Sequence, residues 1–171
     1  MVNEVGKSFG ISFTGDFGKS VEFLDITTSS KRCLTSKTKN LGKKVEVDGK
    51  NVKLDFRLDC SMDSVIYLAT CKICEKEEIP GNFYFGQTIN SLMSRCNGHR
   101  DKFKLESYDK SALSMHIMDK HVNDFGDKLD NFSFGLVSHC SPEHLNRRED
   151  FYIYLTKADT QGLNRYKVSK L

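Results

Sequence analysis

The sequence predicts a small α/β domain in which helices flank a central, mainly antiparallel three-stranded sheet. Three short runs rich in β-formers supply the strands: VIYLAT at 65–70, FYFGQ at 83–87 and NFSFGLVS near 131–138. Segments of helical periodicity fall between and after them. The order strand, strand, helix, helix, strand, helix, with short connections, closes as layers around one sheet.

At 171 residues the chain has room for one domain with a sizeable core plus an extension, and not for two full domains. We place the extension at 1–55 and the domain at 56–171. Hydrophobic residues make up 38% and charged residues 29%, slightly polar for a globular protein, but twelve Phe and six Tyr supply the aromatic mass for burial. A formal charge of +3 permits a polyanionic partner without requiring one. No window approaches the ~18 apolar residues of a membrane helix, and MVNEVGKSFG lacks the apolar run of a secretion signal, so a soluble, intracellular protein with no membrane partner is expected. In that setting the six cysteines, Cys33, Cys60, Cys71, Cys74, Cys96 and Cys140, read as reduced thiols or metal ligands rather than three disulfides.

Taken in order, residues 1–40 mix Gly, Ser, Thr and Lys, and only SVEFLDIT hints at a strand. Next, KKVEVDGKNVKLDFRL alternates apolar and polar residues about Asp48-Gly49, a pair suited to a hairpin turn with positive φ. The strand at 65–70 is an uninterrupted apolar run and therefore buried on both faces. CKICEKEEIPGN, with its charge run and Pro80-Gly81, reads as a loop leading to the adjacent strand at 83–87. After Gln87, Thr88 or Asn90 caps a helix that places Leu92, Arg95, Cys96 and His99 within one arc, weakened late by Gly98. A second helix spans Lys110 to about Lys120 with Ala112, Leu113, Met115 and Met118 as packing residues.

The last helix opens with Ser141 as N-cap and Pro142 at its first position. Its stripe Leu145, Glu149, Tyr152, Ile153 and Thr156 contains a carboxylate among apolar neighbours, where it needs a cation or donors to offset its desolvation. Glu149 either pairs with Arg148 or Lys157 at the rim or ligates a metal. Arg95 and His99 are separated by one helical turn; they are solvated helix residues or a cationic pair awaiting an anion. Cys71-x-x-Cys74, followed at a distance by His116 and His121, has ligand types and spacings that satisfy tetrahedral zinc, against the plainer reading of a buried thiol pair with two surface histidines. Cys60 has no partner by spacing and is a substitute candidate in that set. Cys96 packs inside its helix, and His139 and His144 are expected to be exposed.

Three separated strings, C-S-M-D-S-V-I-Y-L-A-T-C-K-I-C from Cys60, Y-F-G-Q-T-I-N-S-L-M-S-R-C-N-G-H-R from Tyr84, and R-R-E-D-F-Y-I-Y-L from Arg147 followed by G-L-N at 162–164, occur in an order that resembles the GIY-YIG endonuclease domain. The likeness is closest to the variety in Penelope-like retroelements, whose first motif lacks its initial Gly and which carry a cysteine pair between the two tyrosine motifs; it covers Phe56 to Asn164. The resemblance implies that Tyr67 accepts a proton from the attacking water, directly or through a relay, and that Tyr84 helps position that water. It further implies a phosphate-binding Arg95, a His99 that contacts the phosphate or its nucleophile, Glu149 as the single carboxylate ligand of a catalytic Mg²⁺ or Mn²⁺, and Asn164 near the site. Cys71, Cys74, His116 and His121 resemble that variety's structural Zn²⁺ site. The chain departs from the pattern with Val65 for Gly, Phe85 for Ile, Tyr152 for a frequent Trp, and a longer insertion before Tyr84; none removes a catalytic group.

The chemistry implied is hydrolytic nicking of DNA. Charge building on nonbridging phosphate oxygens is met by a planar guanidinium and by a divalent ion held through one carboxylate. A lone carboxylate leaves coordination positions open, which suits Mg²⁺ better than a closed zinc site. A role in mobile-element insertion and a nuclear address follow from the resemblance alone. The alternatives are a repair or structure-specific nuclease on the same fold, and a zinc-stabilised nucleic-acid-binding module without nuclease activity.

Overall fold

A computed structural model of the chain describes residues 44–47, 49–53, 58–103, 107–123 and 128–168. The strand expected within SVEFLDIT lies outside these residues, as do Asp48 and the stretch 54–57 of the expected hairpin. The remainder of that hairpin pairs β1 (Lys44–Val47) with β2 (Lys50–Lys53) in antiparallel register, turning at Gly49 with φ of 69°.

The main sheet has the order β4-β3-β5, with β3 (Val65–Cys71) antiparallel to both β4 (Phe83–Thr88) and β5 (Phe132–His139). Every residue of β3 is buried, because the middle strand is covered on both faces. Alternation along the pleat divides its side chains between two cores. Val65, Tyr67, Ala69 and Cys71 pack against Leu92 and Cys96 of α2 (Leu92–Arg100) and Leu113 and Ile117 of α3 (Ala112–Lys120). Ile66 and Leu68 face Phe85, Leu145 and Ile153, the last two from α4 (Leu145–Thr156), with Val47 and Val52 of the hairpin joining them. The result is α2 and α3 on one face and α4 with the hairpin on the other.

Local departures from the expectation have local causes. The loop after β3 contains a short helix, α1 (Lys72–Lys76), which buries Cys74 and closes with Glu78 in the left-handed region and Ile79 N–H donating to Cys74 C=O at 2.8 Å. The α2 cap is Ser91, whose Oγ accepts from Ser94 N–H at 3.2 Å; Thr88 instead accepts from Asn90 N–H and shapes the turn before it. On α3 the buried residues are Leu113, Ser114 and Ile117, while Ala112, Met115 and Met118 are half-buried. Before α4, Pro142–His144 forms a 3₁₀ turn, and the stripe Leu145, Glu149, Ile153 and Thr156 is buried as the spacing requires. Tyr152 sits at its border, stacked on Phe85 at 5.6 Å and 8°. His139 and His144 are exposed.

Edge strand β4 does not face solvent bare. Leu163 N–H donates to Phe83 C=O at 2.8 Å, and the Asn164 amide takes both backbone groups of Phe85, accepting at 2.9 Å and donating at 2.8 Å. A side chain thus continues the ladder that the backbone begins, covering an edge that would otherwise invite pairing with another chain. Among the described residues no helix is long and apolar enough to cross a membrane. Asn164→Ala orphans two backbone groups, one of them a buried N–H, and is expected to cost about 1–3 kcal/mol of stability; urea unfolding with an unchanged midpoint would contradict this account.

Candidate active site and metal centre

The register of β3 against β4 puts Tyr67 opposite Gly86 and Ala69 opposite Tyr84, so both phenols project to the α2–α3 side as diagonal neighbours. Their ring centroids are 6.2 Å apart. Gly86 makes this possible: a Cβ there would lie 2.4 Å from the Tyr67 hydroxyl and 2.7 Å from Cε1 of Tyr84. The strand glycine is the sequence mark of this close approach.

Arg95 and His99, one turn apart on α2, meet the Tyr67 hydroxyl together. Arg95 Nε–H donates to it at 3.3 Å, and His99 Nε2 lies 2.8 Å from it. His99 Nδ1 is 3.1 Å from Ser111 Oγ, and the imidazole stands edge-on to both tyrosine rings. Ser111 occupies the N-cap position of α3 but makes no side-chain cap bond to that helix; its hydroxyl is instead turned to His99. Nothing in the sequence singled it out.

Burial sets the charge states. Tyr67 is held well above the ordinary phenol range by burial and by Tyr84 beside it, with Arg95 opposing. Tyr84 is raised by burial and then by Glu149. His99 is pushed down to about 3 by burial, assisted by the Arg95 charge. Neutral phenols and a neutral imidazole therefore surround one guanidinium at neutral pH. With the imidazole proton on Nδ1, His99 donates to Ser111 and Tyr67 donates to Nε2 while accepting from Arg95, so the phenol and both ring nitrogens are partnered.

Glu149 arrives from the opposite layer. It is buried, and burial raises its carboxyl above the usual range, while the polar groups of Tyr166 and Gln87 and the Arg95 charge counter that rise. Tyr166 and Gln87 stand beside the carboxylate, the Tyr166 hydroxyl donating to Asp150 Oδ1 at 3.4 Å and the Gln87 amide to Asn146 Oδ1, whereas Arg148 and Lys157 are exposed on α4. The nearness of Tyr166 and Gln87 to Glu149 is not legible in the sequence, because Tyr166 belongs to no periodic element and Gln87 lies on a separate strand, β4. Tyr84, Arg95, His99, Asn164 and Tyr166 line one cleft of about 290 Å³. Asn164 reaches that cleft with both ends of its amide already engaged on Phe85, so the structure places it as a brace of β4 beside the site.

The second constellation is further along the same face of β3. Cys71 ends β3, Cys74 lies in α1, His116 is on α3 and His121 follows its last turn; their ligand atoms all lie within 4.8 Å of one another. Cys74 Sγ is 3.3 Å from His116 Nε2 and 3.0 Å from His121 Nε2. A tetrahedral zinc shell has ligand-to-ligand edges of about 3.3–3.8 Å, and two thiolates with two imidazoles are its usual donors. The cluster fits such an ion. Four protein ligands would close the shell of such an ion. Cys60 is disulfide-bonded, which corrects the expectation of six reduced or ligating thiols and removes Cys60 from the zinc set. Cys96 is fully buried in α2, with its thiol pushed up to about 12 by burial.

α3 links the two constellations, with Ser111 at its start touching His99 and His116 and His121 toward its end holding the metal cluster. Comparison with protein-family models, with curated proteins and with solved structures returned no match.

Two outcomes are expected. As pH falls below 6.5 an unfolded chain takes up a proton at His99 that the folded chain refuses until about pH 3, so the stability carried by neutral His99 is full above 6.5 and declines across that window. The His99 ring should accordingly show neutral-imidazole nitrogen shifts at pH 5, and an NMR midpoint near 6.5 would contradict the burial argument. Purified protein should carry about one equivalent of zinc per chain, the capacity of a single closed tetrahedral shell, and lose it in Cys74→Ser; undiminished zinc in that variant would assign the metal elsewhere.

Proposed function

We propose that the chain is a metal-dependent DNA endonuclease of the GIY-YIG type, hydrolysing a phosphodiester bond by attack of water. The observation that carries this reading is the convergence of Arg95 and His99 on the hydroxyl of Tyr67, with Tyr84 adjacent and Glu149 electrostatically coupled to Tyr84 and Arg95. A scissile phosphate fits in front of this group because Arg95 reaches solvent while its Nε–H remains fixed on Tyr67.

Tyr67 is too weak an acid to stand as a phenolate at neutral pH, so it acts as a proton shuttle. As the water oxygen bonds to phosphorus, the water proton passes to the hydroxyl of Tyr84, which lines the cleft, the Tyr84 proton to the Tyr67 oxygen and the Tyr67 proton to His99 Nε2, while His99 Nδ1–H keeps its hydrogen bond to Ser111. The phosphorus to leaving-oxygen bond breaks, and the departing oxygen takes a proton from solvent. An imidazole this poor in basicity accepts the proton only when an anion lies beside it, which couples the relay to a bound phosphate. Arg95 meets charge on the nonbridging oxygens. Glu149 would hold Mg²⁺ or Mn²⁺, which supplies further charge stabilisation when bound.

A role in retroelement insertion rests on the motif resemblance. The competing reading, a zinc-braced nucleic-acid-binding module that does not cleave, draws on the cysteine and histidine cluster and needs none of the Tyr67 geometry. Nicking of supercoiled plasmid with Mg²⁺ or Mn²⁺ separates them. Wild type should nick, and Arg95→Ala and Glu149→Ala should each lower the rate by about 10²–10³-fold, the usual effect of losing a transition-state charge partner. Tyr67→Phe keeps the ring and removes the shuttle, so it should be similarly slow. Intact plasmid across salt and both metals with zinc-loaded wild type would decide for the binding module.

A further inference from the structure

Gly98 lies inside α2, where a glycine costs helix stability relative to alanine. A Cβ built on Gly98 would meet no atom within 4 Å, and the position lies inside the regular α-helix Leu92–Arg100. What distinguishes the position is that Gly98 and Arg95 are shared by two clefts. On one side lies the 290 Å³ cleft whose wall includes Arg95, His99, Lys102, Lys110 and Arg165, and among the described residues none of its lining groups is acidic. On the other side lies a cleft of about 520 Å³ lined by uncharged groups apart from Arg95, including Gln87, Asn90 and Asn146, with Ile89 63% exposed at its wall.

We infer that a duplex DNA backbone crosses α2 over Gly98, with the scissile phosphate at Arg95 and the flanking phosphates on one side seated among Lys102, Lys110 and Arg165. This rests on the endonuclease reading above and adds the path of the substrate. Lys102, Lys110 and Arg165 are positioning residues, acting through the phosphates next to the reacting one. Lys110 and Arg165 are exposed and Lys102 is half-buried; Arg165 is partly tied down by donating to Asp109 C=O at 2.6 Å, which leaves the rest of its guanidinium to face the cleft. The unlike linings make the contact one-sided. The Lys102, Lys110 and Arg165 charges release counterions condensed on the phosphates they meet, whereas the amide-lined side makes contacts that salt leaves nearly unchanged. The missing side chain at 98 lets the strand pass close to the helix at the join, a tolerance that the protein retains at the expense of a better helix.

The test uses the full zinc-loaded chain with no added catalytic metal and a short labelled duplex oligonucleotide, its affinity followed by anisotropy across a salt series. Lys102→Gln and Lys110→Gln should each make the slope of log K against log salt shallower by about one unit, and the double variant by about two. Lys53→Gln, exposed on the hairpin, should leave the slope unchanged. Gly98→Ala should melt higher than wild type yet bind the duplex more weakly and raise KM for plasmid nicking. An unchanged slope in the lysine double variant, or a Gly98→Ala protein that binds like wild type, overturns the path even where nicking is intact. A slope that falls as expected in a protein that never nicks supports the path and removes the endonuclease reading. Wild type without measurable duplex affinity at low salt removes both.

Discussion

A fully buried phenol must have its hydroxyl satisfied, and much of this molecule is arranged around that requirement at Tyr67. The side chain occupies the middle of the central strand, where no water reaches it. Its ring has room only because Gly86 faces it, and its oxygen is satisfied only because α2 presents Arg95 and His99 one turn apart over the same spot. An unpaired hydroxyl in that place would be costly. Structural need and chemical potential therefore coincide: the hydrogen bonds that make burial tolerable also poise a proton between a phenol and an imidazole.

α3 holds this arrangement in place through its two ends. Ser111 bonds to His99 at one end, and His116 and His121 join Cys71 and Cys74 at the other. Cys71 and Tyr67 share a face of β3 four residues apart, about 13 Å along the strand. A metal bound at the cluster would fix α3 against β3 at a distance from the polar site, setting the position of Ser111 without touching it. Metal binding at the cluster and geometry at His99 would thus be linked through a single helix.

The far side of β4 supplies the other half of the site. The segment 162–164 covers the strand edge through Leu163 and Asn164, and two residues further on Tyr166 meets Glu149. The segment that closes an exposed edge thus also brings a phenol up to the α4 carboxylates Glu149 and Asp150. Stacking of Tyr152 on Phe85 sets α4 against the same strand and so sets where Glu149 emerges.

What the sequence determined by itself is what repeats locally. The continuous apolar run of β3, the alternation about Gly49, the helical stripe ending in Ile153 and Thr156, and the burial of Glu149 within it all follow from periods of 2 and 3.6 residues. The Cys71, Cys74, His116 and His121 set was readable because ligand chemistry restricts which residue types can serve. Tertiary structure alone decided the rest. That Ser91 and not Thr88 or Asn90 caps α2, that Ser111 turns from its own helix to His99, that Asn164 is bound to Phe85, and that Tyr166 reaches Glu149 depend on which segments the folded chain brings side by side. Such contacts join residues far apart in the chain through single side chains, and a single side chain leaves no periodic trace in a sequence.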